Sequence, residues 1–92
     1  MEITKMLTVS TAHISGRTAD LLENDDINGV VVYSKDEYGW FIFVDEDYMN
    51  EYENEIPKEL LRLMKFTKAN GCDWLCLDHD GEVLEYFETY GW

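Results

Sequence analysis

The chain has 92 residues, enough for one compact domain and too few for two. Twenty acidic against seven basic residues give a formal net charge of −13. Hydrophobic residues make up 46% and aromatics 14%, which excludes disorder from lack of a core. No apolar run approaches the roughly 18 residues of a membrane span. Residues 1–5 (MEITK) lack the basic and apolar regions of a signal peptide. The expectation is a cytoplasmic domain that does not engage a membrane.

Residues 5–11 (KMLTVST) alternate and carry β-branched side chains, which predicts a first strand. Ser15 is placed to cap a short helix over 16–24, with Ala19, Leu21 and Leu22 as its apolar contacts. The runs VVVY (30–33) and GWFIFV (39–44), separated by Ser34-Lys35-Asp36-Glu37-Tyr38, predict a β-hairpin. An acidic stretch, 45–55, reads as a loop leading into Pro57, a favoured first helical residue. Leu60, Leu63, Met64 and Thr67 then recur at helical spacing, and Asn70-Gly71 ends a helix over 57–69. Finally DWLCLD (73–78) and EVLEYF (82–87) flank His79-Asp80-Gly81, a second hairpin signal. The order β-α-β-β-α-β-β predicts an α+β fold, a two-layer sandwich of two helices on a mostly antiparallel sheet. With no Gly/Ser-rich linker and no repeat, residues 1–92 read as a single domain.

Val30 to Tyr33, Trp40 to Val44 and Trp74 to Leu77 are apolar on both strand faces, so the second face of the sheet needs a cover. The C-terminal Tyr86-Phe87…Tyr90-Gly91-Trp92, a second protomer in a homodimer, and a partner protein are the candidates. Cys72 and Cys76 are the only thiols. On one strand their Cα atoms would lie about 13 Å apart, beyond the roughly 7 Å a disulfide spans. They read as free, buried side chains.

Charge is segregated. Residues 36–55 hold eight acids and no base, 56–71 four bases and one acid, and 72–92 six acids and no base. Lys58, Arg62, Lys65 and Lys68 read as a solvated face of the basic helix, because phosphate binding would have to overcome the global negative field. Direct nucleic-acid binding is therefore not expected. Within 45–55, carboxylates interleave with Tyr48, Met49 and Tyr52, and such residues are enriched where proteins meet proteins.

Catalytic chemistry has little support. Ser10, Thr11, His13 and Ser15 cluster after the first strand, without a nucleophile elbow or a glycine-rich oxyanion loop. A cysteine–histidine pair could be drawn from Cys72 or Cys76 with His13 or His79, but nothing in their spacing requires it. The same four residues do not follow a zinc spacing. Asp78-His79-Asp80-Gly81-Glu82 lacks the rest of a calcium loop, and no phosphate-cradling loop exists. No enzyme, metal or cofactor is expected.

The strings LTVSTAHIS (7–15), YGWFIFV (38–44), IPKEL (56–60), NGCDWLCLDHDG (70–81) and ETYGW (88–92) resemble an uncharacterised family of short acidic proteins of Gram-positive gut bacteria. The resemblance implies an intracellular protein carried among accessory genes of mobile genetic elements. It assigns no activity and no functional residues.

These readings converge on a non-enzymatic acidic binding protein with a basic protein partner, in its most concrete form a nucleic-acid-binding one. Duplex DNA carries about one negative charge per 1.7 Å of axis, so twenty carboxylates correspond to roughly ten base pairs. A DNA mimic that inhibits a host restriction or RNA-guided nuclease is the leading expectation. Asp36, Glu37, Asp45, Glu46, Asp47, Glu51, Glu53 and Glu55 would make the contact, with Tyr48 and Tyr52 as anchors. The alternatives are an immunity protein or antitoxin against a basic toxin, or an accessory interaction module of a mobile element.

Overall fold

Alternation, caps and turns divide the chain into four strands and three helices. The computed structural model describes all of Met1–Trp92. Strand β1 spans Met6–Ser10 and a 3-10 turn Thr11–His13; helix α1 is Gly16–Glu23. Strands β2 (Val31–Ser34) and β3 (Gly39–Phe43) are followed by α2 (Glu46–Glu51), α3 (Lys58–Ala69) and β4 (Trp74–Asp78). The fold is α+β with a mixed four-stranded sheet in the order β1-β4-β3-β2. β2 pairs antiparallel with β3 and β3 with β4, whereas β1 runs parallel to β4, with Met6 beside Trp74 and Ser10 beside Asp78.

Local chemistry accounts for each helix. The Ser15 hydroxyl accepts the Thr18 N–H and starts α1. Helix α3 begins just after Pro57, and Leu60, Leu63, Met64 and Thr67 are all fully buried along it. The Thr67 hydroxyl, which cannot stay unpaired there, donates to the Leu63 carbonyl at 2.8 Å. From the sheet, Val9, Ile42, Leu75 and Leu77 enter the same core, with Leu7, Val32 and Trp40 at its margin. Gly39 meets β4 so closely that a Cβ there would lie 1.7 Å from the Leu77 carbonyl oxygen.

Three expectations are corrected. The acidic stretch is not a loop throughout: α2 forms within it, so helices number three and the order is β-α-β-β-α-α-β. Residues 82–87 form no strand, and the second hairpin is absent. The Gly81 N–H turns back to the Asp78 carbonyl, and Gly81 presses against the Val9 backbone, leaving one strand-like bond, Ser10 N–H to the Glu82 carbonyl. Leu84 and Phe87 then turn toward the core instead of alternating across a ladder. Cys72 also lies just outside β4, so the two free thiols do not share a strand.

Residues 79–92 form a strap across the 3-10 turn and α3. His13 fastens its middle: Nε2 accepts the Leu84 N–H at 2.8 Å, and Nδ1–H donates to the Glu88 carbonyl at 2.9 Å. That pair of bonds requires the neutral ring protonated on Nδ1. Phe87 packs edge-on against Phe66 and His13, beneath the Arg62 guanidinium. The Tyr90 N–H donates to the Ala12 carbonyl, and the Trp92 indole N–H to the Ile14 carbonyl at 2.7 Å.

The strap therefore lies with the helices and leaves the other sheet face uncovered. The register aligns Met6, Trp74, Phe43 and Val31 there, with Phe41, Tyr33, Thr8 and Cys76 one step along. Tyr33 and Phe43 both contact Trp74, with ring centroids 6.0 and 5.3 Å away.

Gly39→Ala should cost at least the ~1–3 kcal/mol of a strained backbone, read as a lowered urea midpoint, because β4 cannot retreat without breaking two pairings. His13→Ala leaves the Leu84 N–H and the Glu88 carbonyl without their partner and should cost about 1–3 kcal/mol. Hydrogen exchange should show the Leu84 and Tyr90 amides losing protection while those of β3 and β4 keep theirs.

Candidate functional site: the acidic helix α2

The end of β3 delivers Val44 into the core and turns the chain at Asp45. One Asp45 carboxylate oxygen accepts the Asp47 N–H at 2.8 Å and the Tyr48 N–H at 3.4 Å, so an acid that reads as a recognition residue also starts the helix. Glu46 and Asp47 fill the first turn, where negative charge is favourable. Met49 is the buried anchor. Tyr52 ends the helix and lies over Gly29, where a Cβ would sit 2.5 Å from it and φ is +86°. A larger residue at Gly29 would displace Tyr52 as well as strain the backbone.

The two tyrosines thus differ in role. Tyr52 pins the segment to the body. Tyr48 stacks edge-on against it, with ring centroids 6.4 Å apart, and keeps 42% of its surface exposed. Beyond the helix, the Glu55 carboxylate accepts the Asn28 amide at 2.9 Å, and Glu53 stands 3.9 Å from Lys65.

Asp45, Glu46, Asp47, Tyr48, Glu51, Tyr52, Glu53 and Glu55 therefore belong to one end of the sheet. Asp36 and Glu37 do not join them. They form the β2–β3 turn, at the other end of β3, with Asp36 in the left-handed region at φ 50°. Four strand steps put that end about 14 Å away.

Helix α3 separates α2 from the acidic strap. Lys65, Lys68 and Ala69 share a groove with Glu46, Met49 and Asn50, whereas Arg62 and Phe66 meet Phe87. Three of its four bases turn to internal partners: Lys68 bonds Asp73 at 3.0 Å, Lys65 approaches Glu53 and Arg62 covers Phe87, while Lys58 stays exposed. The acids of α2 and those of the strap are thus divided by the one basic element, whereas Asp36 and Glu37 share an end of the sheet with Asp78 and Asp80.

The catalytic candidates have structural partners. Ser10 caps the 3-10 turn through the Ala12 N–H at 3.0 Å, Ser15 caps α1, and both His13 nitrogens hold the strap. His13, His79, Cys72 and Cys76 do not gather into a metal-holding group. Lys35 bonds Asp78 on the open sheet face; this contact raises the Lys35 pKa and lowers that of Asp78.

Glu59 was missed by the sequence reading. One of its carboxylate oxygens accepts the Ser15 N–H at 3.0 Å and the Thr18 hydroxyl at 2.9 Å, tying the start of α3 to the start of α1. Burial pushes this carboxyl up, but the bonds from Ser15 and Thr18 outweigh it and hold the pKa below the ordinary glutamate value. An acid in the first turn of α3 was the visible signal, although its partner is remote in sequence.

A family model described as the C-terminal domain of a family of unknown function, DUF5983, matches residues 6–92. No curated protein and no solved structure is matched. No helix is long and apolar enough to cross a membrane.

Glu59→Gln should destabilise by about 1–3 kcal/mol at neutral pH. The contribution is complete above the ordinary value of 4.5 and is lost as pH falls through the lower folded value. The difference between wild type and variant in urea titrations should therefore be constant from pH 7 to 5 and shrink below about pH 4.

Proposed function

The chain belongs to the DUF5983 family, whose function is unknown, and from that premise we propose that it acts without catalysis, as an acidic binding protein working through α2 and the turn after it. The observation that carries this reading is Tyr48. A helix held by Met49 and Tyr52 does not need a second tyrosine, yet Tyr48 stands exposed among Glu46, Asp47 and Glu51. An aromatic anchor ringed by carboxylates suits a basic protein surface, and the net charge of −13 speeds encounter with it.

In its concrete form the surface imitates a short step of duplex DNA. Asp45, Glu46, Asp47, Glu51, Glu53 and Glu55 correspond, at about 1.7 Å per charge, to roughly three base pairs. The opponent is the DNA-binding channel of a restriction or RNA-guided nuclease in the cytoplasm. Carriage on a mobile element of a Gram-positive gut bacterium, as the sequence resemblance implies, would place the protein before such a nuclease. The reading takes the chain as two layers, with helices and strap over one face of the sheet and α2 at its rim.

The test is inhibition of duplex binding by such a nuclease in gel shifts. Wild-type protein should displace the duplex, and its potency should fall steeply between about 50 and 200 mM salt. Tyr48→Ala should weaken inhibition about tenfold, and joint Glu46→Gln, Asp47→Asn, Glu51→Gln and Glu53→Gln substitution should abolish it. A neutralised variant as potent as wild type, or binding that duplex DNA does not compete with, would overturn the proposal.

A further inference from the structure

We propose that the uncovered sheet face docks one amphipathic α-helix of a partner protein, apolar along its middle and basic at both ends. This goes beyond the α2 reading and does not rest on it, although Asp45, Glu46 and Asp47 border both surfaces. The centre of the face is a shallow depression of about 210 Å³ lined by Met6, Tyr33, Phe41 and Trp74. Met6 is 46% and Tyr33 56% exposed, so two of these four side chains stand open to solvent, with Phe41 and Trp74 half-buried between them. Among its aligned residues the only charges are Lys35 and Asp78, bound to each other at one margin.

The size of the face selects its occupant. Four strands at about 4.8 Å spacing and five residues at about 3.4 Å give a face near 14 by 17 Å. A twelve-residue helix is about 18 Å long and 10 Å across, so one helix covers it. A second copy stacked here would gain far less than the roughly 800 Å² per partner of a standard interface. It would also set −13 against −13.

The charge around the face selects the helix's ends. At one end stand Asp36 and Glu37 in the hairpin turn, with Asp78 and Asp80 at the close of β4; Lys35 is their one base. At the other end β3 runs into Asp45, Glu46 and Asp47, and Asp73 precedes β4, with Lys5 before β1 as the neighbouring base on the sheet. Lys68 already holds Asp73. An apolar strip with acidic ends is complementary to an apolar helix stripe with Lys or Arg at each end. It also gives Asp36 and Glu37, which α2 leaves aside, a partner of their own.

The experiment uses the full chain, labelled with nitrogen-15, and a lactam-bridged fourteen-residue peptide with Leu at i, i+3, i+4 and i+7 and Lys at both ends. The controls are the same composition in scrambled order and the same stripe with Glu at the ends. The basic-ended peptide should saturate at one per chain, moving the Met6, Phe41 and Phe43 amides and the Trp74 indole N–H. Tyr33→Ser, at an exposed position that leaves the core intact, should weaken it about tenfold. Joint Asp36→Asn and Glu37→Gln should weaken it severalfold and flatten its salt dependence. Tyr48→Ala, which weakens the α2 site, should leave it unchanged, so the two readings fail separately. Shifts confined to 45–55, equal binding of the scrambled peptide, or indifference to Tyr33→Ser would overturn the proposal. So would a concentration-dependent dimer that protects the same resonances, since a second copy would then be the occupant.

Discussion

The parallel pairing of β1 with β4 is the constraint from which the rest follows. A parallel neighbour cannot be reached by a tight turn, so a long crossover must separate Ser10 from Trp74. Helix α1, the β2–β3 hairpin, α2 and α3 all lie within that crossover. β4 ends up with neighbours on both sides, and its alternation sorts the molecule. Leu75 and Leu77 point to the helices, while Trp74, Cys76 and Asp78 point away. The helical layer, the acidic rim and the uncovered face all derive from this division.

Charge is arranged by the same geometry. Helix α3 runs between α2 and the strap, and Arg62, Lys65 and Lys68 lean to either side of it. Exposed pairs of this kind contribute little stability. Their effect is to orient side chains and to leave the outer carboxylates unneutralised. Glu59 does the opposite work: partly buried and bound by Ser15 and Thr18, it joins two helix starts that are distant in sequence.

What was legible in the sequence was local. The β2–β3 hairpin, α1 with its Ser15 cap and the buried stripe of α3 all follow from period and punctuation, and the structure displaces their ends by a residue or so. The acidic stretch hid α2 because a single inward residue, Met49, leaves no periodic pattern, and the cap that starts the helix is itself one of the acids. EVLEYF imitated a strand because Val, Tyr and Phe behind an Asp-Gly turn cannot report whether an edge is there to receive them. His13 lay in a cluster that reads as chemistry, yet its two nitrogens serve Leu84 and Glu88, far along the chain. Of the candidate surface, the residues between Asp45 and Glu55 were found by composition. The separation of Asp36 and Glu37 from them depends on the direction of β3, which composition does not carry.

The pairing of the first strand with the last also governs how the molecule comes into being. The β2–β3 hairpin and α3 rest on neighbours close in sequence and can assemble in microseconds. β1 has no partner until Trp74–Asp78 arrives, so the sheet closes through a loop containing most of the protein. High contact order of this kind slows folding, and during synthesis β1 must wait with its apolar side chains exposed until Trp74–Asp78 has left the ribosome. Like charges between the apolar segments disfavour pairing of β1 with a second copy over that interval, the gatekeeping that negatively charged residues give an apolar strand awaiting its partner.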